Sequence, residues 1–381
     1  MFTIKKQSKK SKARRAVLSL NRGKVQTPFF MPIATVGAVK QLSMDEVRAL
    51  GAEIILANTY HLYLRPGNQQ IKKMGGLNKF IDWQAPILTD SGGYQVFSLA
   101  GNKGSKENLV KITDDGVQFR SHLDGSKHFF KPETSIKIQQ DLGVDIMMSF
   151  DVCPPSMASK EVIAAAVEKT TQWGSRCIKQ WKSSAKSKRT QKLFGIVQGG
   201  TDLEMRLRSA KELTALPFSG YAIGGLAVGE PREKMYEVLS YLTDYLPTDK
   251  PRYLMGVGRP EEIVIAVKNG VDMFDCVIPT REARHGRLYE FCSPTSKDAV
   301  KLFGKLAYRT INITNKIFNS DMAPINPDSN NKLLRTYTRS YLYHLLKIEE
   351  GLGMRLATLN NVEFYLSLMT QIRKAIEAGQ L

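Results

Sequence analysis

From Thr27 onward the chain alternates between short apolar runs and segments of helical length, and this rhythm constrains its fold more than any other feature. The runs are PFFMPIAT (28–35), EIILANTY (53–60), PILTDSGG (86–93), DIMMSFD (145–151), LFGIVQGG (193–200), YAIGGLAVGE (221–230), RYLMGVG (252–258) and DMFDCVIPT (272–280). Strands apolar on both faces need cover on both, so the pattern predicts a parallel sheet wrapped by helices. Segments 43–50, 160–182, 202–215, 232–245 and 260–269 carry the helical spacing, and Ser43, Thr201 and the Gly-Arg-Pro-Glu-Glu at 258–262 read as helix openings. Eight units favour a closed α/β (β/α)8 TIM barrel over an open doubly wound sheet. No GxGxxG opens a helix after the first strand, which argues against a dinucleotide-binding domain. At 381 residues the other arrangement to weigh is two ordinary domains.

Three parts lie outside the rhythm. Residues 1–26 form a basic arm followed by a small hairpin, Ala16–Leu20 and Lys24–Val25 around a turn at Asn21-Arg22-Gly23. The arm's KKQSKKSKARR (5–15) has seven basic side chains in eleven, and reads equally as a solvated mobile segment or as a phosphate-contacting one. The barrel spans 27–300 with an insertion at about 98–131, whose Asp115-Gly116 and Asp124-Gly125 turns predict a three-stranded meander. A helical subdomain, 301–381, follows, with helices at 335–349 and 358–378 after a turn-rich loop at 322–332.

The net charge of +19 points to a nucleic acid or another anionic surface as partner. Four scattered cysteines with no CxxC pair argue against a disulfide framework and a clustered thiolate metal site. No apolar run has membrane-spanning length and no signal peptide opens the chain, so a cytoplasmic protein is expected.

Strand C-termini converge on one face of such a barrel, and chemistry sits there. They supply Asp90 with Ser91, Gly92, Gly93 and Tyr94, then Asp151, Gln198, Gly224, Gly225, Gly256 and Asp275. Carboxylates accept from ring N–H and amino groups, while a carboxamide and backbone amides donate to a carbonyl, so the set suits a planar heterocycle. Tyr94 and Met255 could supply the apolar faces of the slot. Asp275 lies inside an apolar run, with Arg281, Arg284 and Arg287 following at intervals of three. A carboxylate in that setting is either paired or working. Asp275 as nucleophile and Asp90 as proton-transfer group would divide the labour as in a retaining glycosidase. With a basic surface, that implies cleavage of an N-glycosidic bond in a nucleic acid.

TPFFMPIATVGAVK, NTYHLYLRPG, LTDSGGYQVFSL, FGIVQGG, GYAIGGLAVGE, YLMGVGRPEEI and MFDCVIPTREAR, in this order, resemble the tRNA-guanine transglycosylases (queuine tRNA-ribosyltransferases) from about Ala13 to the C-terminus. The resemblance implies exchange of the wobble guanine of GUN anticodons for a 7-deazaguanine through a covalent enzyme–ribose intermediate. It makes Asp275 the nucleophile at ribose C1′, Asp90 the general acid/base and Asp151 the reader of the base's amidine edge. Gln198 and Gly225 become donors to the base carbonyl, Leu226 and Glu230 neighbours of the 7-substituent, and Tyr94 and Met255 the sandwich. Segments 256–262 and 280–284 (Gly256, Val257, Gly258, Arg259; Thr280, Arg281, Glu282, Ala283, Arg284) become contacts to the anticodon loop. Cys153 and Val228 match the bacterial branch, and Val228 would crowd a cyclopentenediol, favouring 7-aminomethyl-7-deazaguanine over queuine. A homodimer is implied as well, one subunit binding the anticodon arm while the other steadies it.

The chain departs from the family at its C-terminal zinc site. Ser329, Asn331 and Leu334 stand where the family has cysteines and Asn360 where it has histidine, so no zinc and no cofactor are expected, with Leu333 and Leu334 packing instead. SFDVCPP also replaces the usual SFDECTP, changing the pocket rim at Val152 and Pro155. Two other readings are a queuine-salvaging enzyme and a catalytically silent tRNA-binding subunit, the latter opposed by the intact Asp90, Asp151, Gln198 and Asp275. An archaeal-type enzyme acting on the D-loop would bring a further RNA-binding module, and an ordinary glycoside hydrolase fits neither the charge nor the Gln/Gly set.

Overall fold

A computed structural model of the protein describes residues 1–100, 110–155, 158–183, 190–292 and 308–381. Part of the expected insertion (101–109) and the expected boundary at 300/301 lie outside the described residues.

The central sheet is parallel and follows chain order: Ile33–Ala34, Ile55–Ala57, Ile87–Thr89, Ile146–Met148, Lys192–Val197, Gly220–Ile223, Arg252–Leu254, Met273–Asp275 and finally Phe29–Met31. Only Pro32 separates the two end members in sequence, so they are halves of one strand and the sheet closes on itself. Proline has no N–H for a ladder, and the strand changes partner there. Phe29–Met31 pairs with Met273–Asp275, and Ile33–Ala34 pairs with Ile55–Ala57. The result is the expected (β/α)8 barrel, each of the eight apolar runs supplying one strand.

Side chains fill the barrel. Phe29, Met31, Ile54, Leu56, Leu88, Ile146, Met148, Phe194, Ile196, Ala222, Tyr253 and Met273 form one buried cluster, which Leu18 and Val25 of the N-terminal sheet join from below. That sheet corrects the expected hairpin: Arg14–Leu20 and Gly23–Thr27 do pair, but Phe2–Gln7 adds a third antiparallel strand. Much of the basic arm is thus ordered by backbone pairing rather than free. Two arginines of this sheet, one on a strand and one in its turn, reach buried carboxylates at the N-terminal ends of barrel strands. Arg14 forks onto Asp272 at 2.9 and 2.6 Å, and Arg22 meets Asp145 at 3.1 Å. Charges this deep persist only when paired and hydrogen-bonded, and Asp272 also accepts the Arg252 N–H at 2.8 Å. The floor of the barrel is therefore sealed.

Ser43 caps Met44–Ala49 through a capping box with Glu46. Leu203–Thr214 is capped by Asp202, whose side chain accepts from Met205 N–H at 3.0 Å, and not by Thr201; a carboxylate also suits the positive end of the helix dipole. The meander is present as Val110–Ile112, Val117–Arg120 and Lys127–Phe130. It docks on the helix Thr59–Leu64 through Tyr60–His122 (2.8 Å) and Tyr63–His128 (3.0 Å) hydrogen bonds. Beyond the barrel an antiparallel pair, Arg287–Phe291 with Tyr308–Asn312, was not foreseen. Helices Lys332–Thr336, Arg339–Lys347 and Gly351–Glu377 complete the chain, the last reaching well N-terminal to the expected 358. Its Asn360 and Asn361 weaken local propensity but are held by tertiary bonds: Asn361 to Pro279 and Arg287 carbonyls, Asn360 to the Tyr289 carbonyl. No helix among the described residues is long and apolar enough to cross a membrane.

The residues at the family's zinc positions do not fit a zinc ion. Ser329 Oγ donates to the Glu363 carboxylate, Asn331 caps a helix by accepting from Leu333 N–H at 2.9 Å, and Leu334 is wholly buried in the core. The Asn360 amide is spent on Tyr289 and Asn326. Leu334 packs as anticipated, but the hub is Glu363, which also accepts the Asn330 N–H at 2.7 Å, while Arg335 ties down the Ser329 carbonyl at 2.6 Å.

Candidate active site

The two-residue period of a strand decides what the barrel mouth displays. On each strand but the fourth, the residue two places beyond the last inward core side chain lines a single cleft: Thr35 after Ile33, Asn58 after Leu56, Asp90 after Leu88, Gln198 after Ile196, Gly224 after Ala222, Met255 after Tyr253, Asp275 after Met273. On the fourth, Asp151 comes three residues after Met148 and still lines the cleft. The cleft holds about 670 Å³, within the range of small-molecule sites.

Asp275 stands directly on the top layer of the barrel core. Its Oδ1 accepts from Tyr253 OH at 2.5 Å and from Gly256 N–H at 2.9 Å. Among the described residues no donor reaches Oδ2, which leaves one oxygen oriented and bare. Burial pushes its carboxyl up, partly offset by those two bonds. Asp90 accepts from Asn58 Nδ2 and, at 2.8 Å, from Thr59 N–H. Burial pushes it up to about 7, the Thr59 N–H opposes, and the nearby Asp275 charge adds to the rise. Asp151 sits at about 6, raised by burial against hydrogen bonds from Gln198 (2.7 Å) and Ser91 Oγ (3.1 Å). Three buried carboxyls with pKa values raised by burial thus share one cleft, the kind of cluster that marks a candidate chemical site.

Gln198 is buried beside Asp151. Its Nε2 bonds Asp151 and keeps a second N–H, while Oε1 is buried with no hydrogen-bond partner among the described residues. Gly225 lies beside it at φ +64°, where a Cβ would run into that Oε1, so only glycine serves. Glu230 folds back to accept from Val228 N–H at 3.0 Å and from Ala227 N–H. Burial pushes the neighbouring Cys153 thiol up to about 12, so it is a neutral wall. Tyr94, half exposed at the rim, and Met255 also line the cleft, as do Ser91, Leu226 and Val228. Gly92 and Gly93 do not; Gly92, at φ +81°, makes the turn that starts the helix carrying Tyr94.

The expected RNA contacts divide. Gly256, Gly258, Arg259 and Arg281 line the open side of the cleft. Val257, Thr280 and Ala283 are buried, so their side chains are packing and not contact surface. Glu282 is engaged by Arg287 and Tyr289, and Arg284 bonds the Thr280 carbonyl at 2.8 Å at the end of the helix Ile278–Arg284. Sequence reasoning missed Tyr253, Asn58 and Thr59. Tyr253 reads as one more apolar-run aromatic; the only clue was that a buried tyrosine needs a partner for its hydroxyl. Asn58 occupies a strand-end position equivalent to Asp90 and could have been found by that rule.

The protein-family model for queuine tRNA-ribosyltransferase matches residues 8–381. Proteins named queuine tRNA-ribosyltransferase are similar over nearly the whole length. That of Moorella thermoacetica is 49% identical over 380 residues, covering 100% of this chain and 94% of the relative. The protein from Pelotomaculum thermopropionicum is 48% identical (100% and 95%), and that from Fusobacterium nucleatum 46% (98% and 94%).

Proposed function

The chain belongs to the queuine tRNA-ribosyltransferase family, and from that premise we propose that it replaces the wobble guanine of GUN-anticodon tRNA by a 7-deazaguanine through an enzyme–ribose ester-like adduct. The observation that carries this is the asymmetry of Asp275: Oδ1 is pinned by Tyr253 and Gly256 while Oδ2 is left to attack. Oδ2 bonds to ribose C1′ as the C1′–N9 bond breaks, and the electron pair leaves with the base. The Asp90 proton neutralises the departing base. The incoming base returns a proton from its N9 to Asp90, attacks C1′, and the C1′–oxygen pair goes back to Asp275. Both bases use one pocket, where Asp151 reads the amidine edge and Gln198 and Gly225 the carbonyl. A carboxyl with a pKa of about 7 gives and takes protons with little bias at neutral pH, as this cycle requires. The test is incorporation of labelled guanine into tRNA. Exchange is expected; tRNA binding without incorporation would identify a silent partner subunit instead.

For the incoming base, 7-aminomethyl-7-deazaguanine is the reading that the pocket supports. With Ala227 N–H turned onto Glu230, the Leu226 carbonyl of the same trans peptide faces the other way, as an acceptor for a cationic aminomethyl group. Half-buried Val228 narrows the same end of the cleft.

We also propose that the C-terminal subdomain folds without metal. Prolonged dialysis against EDTA should leave the melting temperature unchanged, and metal analysis should find no stoichiometric zinc. Glu363→Ala should cost about 1–3 kcal/mol by stranding the Ser329 hydroxyl and the Asn330 amide, read as a lower melting temperature. A melting temperature that falls with EDTA would refute the claim.

A further inference from the structure

Arg206 is fully buried on the inner face of the helix Leu203–Thr214, and no salt bridge reaches it among the described residues. Its guanidinium is spent on main-chain carbonyls: Gly200 (2.7 Å), Val197 (2.9 Å), Gly224 (2.7 Å) and Gly225 (3.2 Å). These belong to the ends of two adjacent strands, the ones that carry Gln198 and Gly225. An isolated buried cation is costly, and a plain structural tie between two loops needs none. Burial lowers its pKa only to about 10, so it stays charged at neutral pH.

The trans peptide makes the arrangement directional. C=O and N–H lie on opposite edges of the peptide plane, and the only cis bonds among the described residues precede Pro28 and Pro66. With the Gly224 and Gly225 carbonyls drawn onto Arg206, the N–H groups of Gly225 and Leu226 face away from it. Neither has an acceptor among the described residues, and both residues line the cleft. Two successive amides facing one side form an anion- or carbonyl-binding concavity.

Resting on the base-exchange reading, we propose that Arg206 is a positioning residue that turns the Gly225 and Leu226 amides into the cleft as a paired donor for the carbonyl of the purine. Its charge lies behind that pair, where it also favours electron density accumulating on the carbonyl as the base departs. This makes Arg206 a determinant of selectivity for 6-oxo bases, although it touches no ligand.

The test compares guanine with 2-aminopurine, which lacks the 6-oxo group and the N1–H that goes with it, in binding to wild type and to Arg206→Lys; the altered Asp151 contact is common to both proteins and cancels between them. The variant should bind guanine tenfold or more weakly while its affinity for 2-aminopurine changes little, and its tRNA affinity should be unaltered. A merely structural role would lower the active fraction and affect both bases alike, and that result would overturn the assignment. Independently of whether the variant folds, wild type labelled with [15N]glycine and [15N]leucine should show the Gly225 and Leu226 amide resonances shifting with guanine and not with 2-aminopurine. Equal shifts with both would overturn it too. Failure of wild type to bind guanine at all would instead count against the base-exchange reading itself.

Discussion

Asp275→Asn should bind GUN-anticodon tRNA with nearly wild-type affinity, form no covalent adduct, and exchange guanine at least ~10⁴-fold more slowly. The carboxamide is isosteric and can still accept the Tyr253 and Gly256 hydrogen bonds through its oxygen, so the barrel mouth should keep its shape. What is lost is the bare anionic Oδ2, with an N–H₂ in its place. Denaturing electrophoresis of enzyme incubated with tRNA and a competing base separates the two outcomes: a retarded band in wild type and none in the variant. An adduct surviving in Asp275→Asn would transfer the nucleophile's role to another carboxylate. The same substitution removes a negative charge beside Asp90, so the Asp90 pKa should fall from about 7, although burial, its main cause, remains.

Asp90→Asn should retain base and tRNA binding and slow exchange by about 10²–10⁴-fold, the usual contribution of one proton-transfer group. The pH profile gives the sharper signature. Adduct formation needs Asp90 protonated and Asp275 ionised, so in wild type its rate should fall on the alkaline side through about pH 7. In the asparagine variant that alkaline limb should vanish. Stability carries the same sign: a carboxyl raised by burial from its free value near 3.8 to about 7 favours folding most below the free value. That contribution is lost as pH rises through about 7, so wild type should lose stability over this interval and Asp90→Asn should lose less. A rate profile unchanged by the substitution would remove Asp90 from the proton path.

The barrel was legible because both-face burial leaves a trace in composition: each apolar run became a strand, and period-two alternation carried Asp90, Gln198 and Asp275 into one cleft. What could not be read were features made by contacts distant in sequence. The third strand of the N-terminal sheet looked like a charged arm, because Phe2–Gln7 gains order only from pairing with Arg14–Leu20. Arg206 sits among LEMRLRSA, where an arginine usually faces water, and only the fold turns it onto four carbonyls. Glu363, in NNVEFYL, gives no hint that it gathers the Ser329 hydroxyl and the Asn330 amide.

The sealed floor has a kinetic corollary. Arg14 and Arg22 lock the N-terminal sheet beneath side chains that already fill the barrel, so among the described residues a ligand in the cleft meets packed core below it and the barrel mouth above. On the proposed base-exchange reading, with tRNA laid across that mouth, the outgoing purine would have to clear it before a successor could dock. On that reading, the order of events follows from a mouth that both bases share.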